Sequence, residues 1–426
     1  MLHHQFPSQV LGLAAGSLVK EMRRTVLIIL LLFTSTLALV NGMEVFYRMS
    51  YALAGFLAVS YLWAKFSLHG VNVYSSLKSS SLTIGQEGES SITIENNSLM
   101  PKVGLEVIQT SNVPGYGVSK MLSLAPGQAI TWTDKFACFR RGRYSIGQVT
   151  INTSDLMGIF RRSRLAGNNV NITVYPATVE LPNFAIPPAD LPGEGRYRRR
   201  THFITPNASS VREYTYGDGF NRIHWPSSAR TGKLMVKEFE LDPASEIWLM
   251  LDLHKDVQAG TGMESTEEYG VTIAASIGKR FLDSNRSIGF ITYGQDYKVL
   301  RPDRGGHQAS QLMEGLALAR ADGPVPLDNL IASESRRFGK YTTLIVVTPS
   351  CDDKWITSAQ YLTRRGAKLA VVLLEASSFG GPNTALVALG TLMANRIPTY
   401  LVKKGENLGH VLGSSGDQSA QHTFTR

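Results

Sequence analysis

Hydrophobic and polar positions along the chain change their period three times. Residues 25–40 (TVLIILLLFTSTLALV) and 49–64 (MSYALAGFLAVSYLWA) are apolar runs without charge, joined through Asn41, Gly42, Met43 and Glu44. Neither shows the polar stripe that the solvent side of a soluble helix carries. Each is somewhat shorter than the roughly 20 residues that cross a bilayer, and residues 41–47 extend both. The pattern predicts a transmembrane helical hairpin over residues 25–66, preceded by an N-terminal segment 1–24 on the cytoplasmic side. A secretory signal peptide competes for the first run, because Lys20, Arg23 and Arg24 stand just ahead of it. No small-x-small cleavage site follows, however, and a second apolar run comes at once.

From about Val71 the period falls to two. Residues 90–95, 103–108, 129–132, 144–151 and 170–175 are short alternating runs, set apart by turn residues such as Asn96-Asn97-Ser98, Pro114-Gly115 and Pro126-Gly127. Strands at this spacing predict an antiparallel, β-sandwich-like domain over residues 70–180. Two phrases in it, residues 140–144 (RRGRY) and 155–160 (DLMGIF), place a glycine where a strand end needs positive φ. A proline-rich stretch at 181–192 and the basic cluster Arg196-Tyr197-Arg198-Arg199-Arg200 read as a linker over residues 181–211. From residue 243 to 404 apolar strands alternate with amphipathic helices: strands at 247–251, 288–293, 344–348, 369–374 and 398–402, helices at 266–282 and 308–321. That alternation predicts an open, mostly parallel sheet with helices on both faces. Residues 405–426 are a polar tail.

One stretch, residues 212–242, fits neither period. It interleaves Tyr216-Gly217-Asp218, Arg222, His224-Trp225, Ser228, Arg230, Gly232-Lys233 and Lys237-Glu238. Polar, charged and aromatic residues mixed in this way mark a site or a docking surface held by its own side chains. Asp218 suits a turn, Pro226 favours an extended Ile223-His224-Trp225, and residues 227–232 read as a second turn. In this reading Asp218, Arg222, Arg230 and Glu238 fix the loop by charge-assisted hydrogen bonds, with Trp225 as its buried anchor.

Composition narrows the classes. With 43% hydrophobic and 18% charged residues the chain is a folded protein, and 426 residues imply two or three units. The net charge of +9 permits nucleic-acid or anionic-lipid contact. A membrane protein with a basic cytoplasmic side gives the same number, and the Arg196–Arg200 cluster has no nucleic-acid-binding fold around it, so nucleic acid is the weaker partner. Lys20, Arg23 and Arg24 before the hairpin, and Lys65 and Lys78 after it, place the bulk of the chain in the cytosol. Cys138 and Cys351 have no metal-ligand spacing and form no disulfide framework.

Two chemistries compete for the motif. Asp218, His224 and Ser228 supply the residue types of a hydrolase triad, but Ser228 lacks the Gly-x-Ser-x-Gly context, so no catalytic residue is assigned. His224 and Asp218 are too few ligands for a metal. At the end of the first α/β strand, Asp252 sits where open sheets bind ligands.

Residues Tyr214, Tyr216-Gly217-Asp218, Arg222-Ile223-His224-Trp225, Ser228-Ala229-Arg230, Gly232-Lys233-Leu234 and Lys237-Glu238-Phe239 resemble the hallmark of the bacterial domain-of-unknown-function 58 family. Arg141-Gly142-Arg143-Tyr144, the 155–160 phrase and Val174-Tyr175-Pro176 occur in the same family order. The resemblance implies a von Willebrand factor A-like fold for the α/β domain, and a membrane-tethered scaffold or adaptor that works beside MoxR-type AAA+ ATPases and other membrane proteins. That fold often carries a Mg²⁺-type site beginning Asp-x-Ser-x-Ser. Here the corresponding residues are Asp252-Leu253-His254-Lys255-Asp256, with both serines absent and a lysine among them, and Thr348-Pro349-Ser350 follows the later strand. Hard cations want several oxygen ligands, so Asp252 is expected to cap a strand end rather than to hold Mg²⁺.

Overall fold

The structure is a computed structural model that describes residues 6–155, 157–184, 186, 208–215, 223–239 and 246–413. The Arg196–Arg200 cluster therefore lies outside the described residues. The chain divides into two units, Met1–Tyr175 and Pro176–Arg426.

The first unit begins with two antiparallel helices, α1 (Phe6–Asn41) and α2 (Glu44–Ser67), joined by a tight turn at Gly42, whose φ is +63°. Helix α1 starts well before the apolar run, because residues 6–24 are helix-compatible and nothing in them breaks it. The windows Arg24–Asn41 and Glu44–Ser67 are long and apolar enough to cross a membrane, with mean hydropathies of 1.9 and 1.2. Only 11% of each is buried within the chain, the reverse of what a soluble core helix shows.

Nine strands follow: β1 (Val71–Leu77), β2 (Ser81–Thr83), β3 (Glu87–Asn96), β4 (Lys102–Ser111), β5 (Val118–Leu124), β6 (Ala129–Ala137), β7 (Gly142–Ser154), β8 (Arg161–Ala166) and β9 (Val170–Tyr175). They form one sheet ordered β1-β3-β6 and another ordered β2-β9-β7-β4-β5, with β8 also on β7. Alternation in β3 buries every second residue, so Ile92 and Ile94 meet Leu105, Val107, Val149 and Ile151 in a shared core. The run 144–151 is part of one strand, β7, with Gly147 at φ +116° as a kink in it. Gly142 (φ +144°) and Gly158 (φ +70°) have the positive angles the sequence suggested. The α2 C-terminus is tied to these strands: buried Lys102 donates from Nζ to the Phe66 carbonyl at 3.0 Å, and Ser67 and Thr153 share a hydroxyl hydrogen bond at 2.8 Å. Burial holds the Lys102 amine below its usual pKa, and the last carbonyls of a helix are where a cation is most favoured.

The second unit opens with a two-stranded hairpin, β10 (Ala208–Glu213) and β11 (Met235–Phe239), between which lies α3 (Trp225–Thr231). Beyond it come β12 (Glu246–Leu251), the small pair β13 (Gly260–Thr261) and β14 (Glu264–Ser265), α4 (Thr266–Asp283), β15 (Ile288–Tyr293) and β16 (Tyr297–Asp303). The chain continues through α5 (Gly305–Leu318), α6 (Leu327–Glu334), β17 (Thr342–Thr348), α7 (Asp353–Arg364), β18 (Lys368–Leu374), α8 (Leu386–Ala394) and β19 (Thr399–Val402). The sheet order is β16-β15-β12-β17-β18-β19, parallel except for β16 at the edge. Strand β12 shows why both faces are covered: Ile247, Leu249 and Leu251 enter one core, Trp248 and Met250 the other. The chain leaves β12 toward β15 and returns across it to β17, which makes the gap between β12 and β17 the switch point of the sheet.

Several features differ from the sequence expectations. The stretch read as a polar tail from residue 405 begins inside the fold, with Leu412 buried in the core, and β5, β8, α6, α7 and α8 have no counterpart in the runs named above. Leu181 and Phe184, read as linker, are buried in the α4-side core, where the Phe184 ring lies 5.1 Å from that of Tyr400. Residues 208–211, also read as linker, belong to β10. Strand β16 escaped notice because its run carries Lys298, Arg301 and Pro302, which an edge strand tolerates.

Candidate functional site

Among its described residues, the motif stretch holds a clamped helix, α3, packed on β11. Pro226 sits in the first turn of α3, where its missing N–H costs nothing, and Gly232 ends the helix in the left-handed region at φ +70°. Ile223 is extended as expected and bridges to Val236, with His224 preceding the helix, whereas Trp225 already belongs to α3, which replaces the expected turn at 227–232. Ser228 fastens it. Its buried Oγ accepts from the Met235 amide at 2.8 Å and donates to the His224 carbonyl at 3.1 Å. The His224 amide in turn donates to the Met235 carbonyl at 2.8 Å. Ile223 and Val236, 5% and 2% exposed, pair across the same seam.

Trp225 is not the buried anchor. It is 65% exposed, and Ile223 and Val236 fill the seam instead. Arg230, on the last turn, is exposed as well. Lys233 donates to the Glu213 carboxylate at 2.5 Å on the surface, and that hydrogen bond lifts the lysine pKa above its ordinary value. Tyr216, Gly217, Asp218 and Arg222 lie outside the described residues, and of Lys237 and Glu238 only the strand backbone is described.

Of the hydrolase residues Asp218 lies outside the described residues, and the side chains of His224 and Ser228 are not paired. His224 Nδ1 is 2.7 Å from Ser227 Oγ, while Ser228 Oγ is committed to backbone groups. A nucleophile needs its base in reach and its own oxygen free. Ser228→Ala is expected to loosen α3 by about 1–3 kcal/mol, since the Met235 amide loses its buried acceptor. Hydrogen exchange at residues 223–236 should accelerate while β12 and β17 stay protected; unchanged exchange at the Met235 amide would remove Ser228 as the clamp.

At the switch point, Asp252 follows β12 and is 3% exposed. Its Oδ2 accepts from Thr348 Oγ1 at 2.6 Å, and its Oδ1 from the His254 amide at 3.0 Å. Thr348 Oγ1 also accepts from the Ser350 amide at 2.9 Å, and Gln258 Nε2 donates to the Asp252 carbonyl at 3.1 Å. Both carboxylate oxygens are therefore used inside the protein, and among the described residues no three His, Cys, Asp or Glu side chains are grouped to hold a metal ion. This donor set does not fit a hard divalent cation, which needs six or more oxygens.

Glu375, at the end of β18, was missed in the sequence. It is 4% exposed and accepts from Ser377 Oγ at 2.7 Å and the Ala385 amide at 3.0 Å. The signal was present: an acidic residue closing the apolar run 369–374, as Asp252 closes 247–251. Burial, with the Glu375 carboxylate adding to it, pushes the nearby Cys351 thiol up.

Burial also raises the Asp252 pKa above its ordinary value, with the Thr348 and His254 hydrogen bonds pulling the other way. The native state then keeps this proton to higher pH than the unfolded chain, which releases it near 3.9. The stability Asp252 contributes is full below that value and is lost as pH rises toward the native pKa. Asp252→Asn should flatten this dependence, so that urea unfolding at pH 4.5 and pH 8 differs less in the variant. A steeper dependence in the variant would show that the carboxylate is held ionised.

Residues 210–394 match the family model described as "Protein of unknown function DUF58". The chain is 21% identical over 393 residues to the uncharacterized protein YeaD of Bacillus subtilis (strain 168), covering 89% of this chain and 95% of the relative. Among solved structures, a CARDB domain from Pyrococcus furiosus matches at 15% identity over 25% of this chain and 94% of its own, with a TM-score of 0.20. The pilus adhesin SpaC of Lactobacillus rhamnosus GG matches at 10% identity over 42% of this chain and 30% of its own, with a TM-score of 0.30. Superpositions this weak leave the fold to be argued from the topology above.

Proposed function

Because this chain belongs to the DUF58 family, which has no assigned activity, we propose that it is a membrane-tethered scaffold whose α3 surface captures a partner on the cytosolic side. The observation that carries this reading is the exposed Trp225 on a helix whose own backbone is clamped by Ser228. A tryptophan and an arginine on a rigid exposed turn are the residue types that dominate protein interfaces. A catalytic serine would keep its oxygen free, and here Ser228 Oγ is committed to backbone groups.

Three further elements belong to the proposal. The tether is α1 and α2, oriented with both flanks in the cytosol. The bias of basic residues favours this orientation: Lys20, Arg23, Arg24, Lys65 and Lys78 flank the hairpin, against Arg48 alone at its tip. The sheet order, with its antiparallel edge strand β16, supports a von Willebrand factor A-like reading of the second unit. That domain works here without a cation at Asp252, since the carboxylate is already satisfied. The partner class is a MoxR-type AAA+ ATPase, by family resemblance.

The test places a photocrosslinking residue at exposed Ala229 in the full chain, in membranes that also contain such an ATPase. Crosslinking to the ATPase is expected, and Arg230→Ala should reduce it about tenfold. A crosslinker at exposed Tyr361 on α7 serves as reference. Equal yields from positions 229 and 361 would reject α3 as the capture surface.

A further inference from the structure

The turn between β7 and β8 lies against the chain's own hairpin. Asp155 shapes it by accepting from the Met157 and Phe160 amides at 3.3 and 2.7 Å, with Gly158 at φ +70°. The Phe160 ring meets Tyr61 of α2 edge-on, centroids 5.6 Å apart, and the Arg162 guanidinium lies 5.7 Å from the centre of the same tyrosine. Met157, 61% exposed, and Ile159 form one wall of a wholly apolar cleft of about 420 Å³. Met22, Val26 and Leu27 of α1 and Phe56 of α2 form the other.

Depth decides what this cleft meets. At about 1.5 Å per residue, Phe56 stands roughly 18 Å along α2 from Glu44. With a hydrocarbon core of about 30 Å measured from that end, Phe56 is well inside it and Tyr61 is near its cytosolic edge. The walls facing Phe56 are then at acyl-chain depth as well. Above them, at headgroup level, β8 carries Arg161, Arg162 and Arg164. Arg161 is paired with Glu106 at 2.5 Å and Arg164 donates to the Val71 carbonyl, whereas Arg162 turns to Tyr61 at the interface.

We propose that the β7–β8 turn is a third membrane contact and that the cleft is a binding site for an anionic phospholipid. One acyl chain lies between Met157, Ile159 and Phe56, and Arg162 takes the phosphate. The inference rests on α1 and α2 spanning the bilayer. Two physical terms support the occupant. An acyl chain covers apolar surface that water would otherwise wet, and cationic side chains at headgroup depth attract anionic lipid.

The full chain, with Cys138→Ala and Cys351→Ser to remove its two free thiols, is reconstituted in bilayers containing lipids brominated on their acyl chains. Single cysteines at positions 157, 28 and 139 carry a fluorophore. Ile28 is on the outer face of α1, and Phe139 precedes β7, whose 13 residues separate it from the turn. Quenching is expected at 28 and 157 and not at 139. Quenching at 28 without quenching at 157 overturns the proposal alone; no quenching at 28 overturns the spanning reading and the proposal with it. In mixed phosphatidylglycerol and phosphatidylcholine, the purified chain should retain phosphatidylglycerol preferentially, and Arg162→Gln should reduce that preference several-fold. Equal retention of the two lipids by the unsubstituted chain overturns the headgroup assignment.

Discussion

Trp355→Ala is expected to destabilise the second unit by about 3–5 kcal/mol, the largest single-residue effect anticipated here. Trp355 is 1% exposed and belongs to the core beneath β12, β17 and β18, together with Met250, Val346 and Leu373. Its Nε1 donates to the Ser350 carbonyl at 3.2 Å, so it also holds the loop that follows Thr348. Removing the indole leaves a cavity that α7 cannot collapse into without leaving the sheet. For a unit of this size a loss of that order lowers the melting temperature by roughly 10 °C. Trp355→Phe separates the two contributions, because it keeps most of the volume and gives up only the hydrogen bond, at about 1 kcal/mol. If both substitutions cost the same, the hydrogen bond to Ser350 rather than the packing holds this corner. Thermal unfolding of the solubilised chain, followed by circular dichroism, makes the comparison.

Trp225→Ala is expected to do the opposite. The side chain is 65% exposed, so its removal should change stability by no more than about 0.5 kcal/mol. Capture of the partner should fall by about 30-fold or more, as for an interface residue worth at least about 2 kcal/mol. The measurement is binding of the AAA+ ATPase to the full chain in bilayers, alongside the melting temperature of the same preparation. A large drop in melting temperature with binding intact would make Trp225 a structural residue and end the docking reading. The two tryptophans therefore test each other: one loses fold without touching the surface, the other surface without touching the fold.

Most of the architecture was legible because it follows from periodicity. The apolar runs, the period-two segments and the strand–helix alternation all became the elements they predicted, down to Gly142 and Gly158 at positive φ. The motif was legible as a feature but not as a shape. Reading Trp225 as buried rested on its being large and apolar, and reading 227–232 as a turn rested on its serines and glycine. Neither inference sees that Ile223 and Val236 already fill the seam, or that Ser228 replaces the turn with a capped helix. Glu375 closes an apolar run in the sequence, but no motif surrounds it to mark it out.

What the sequence by itself determined is what each residue's near neighbours impose: which segments are helix or strand, which face of each is apolar, and which two helices are apolar enough to cross a membrane. What only the tertiary structure decided is which groups meet across long separations. Asp252 finds its hydrogen-bond donor 96 residues away in Thr348, and its second oxygen accepts from the His254 amide. Leu181 and Phe184 look like linker until α4 and β19 arrive to bury them. The physical reason is the same in each case. Periodicity reports how one element divides between core and solvent, whereas burial and pairing at an aperiodic residue depend on partners that only the packed chain supplies.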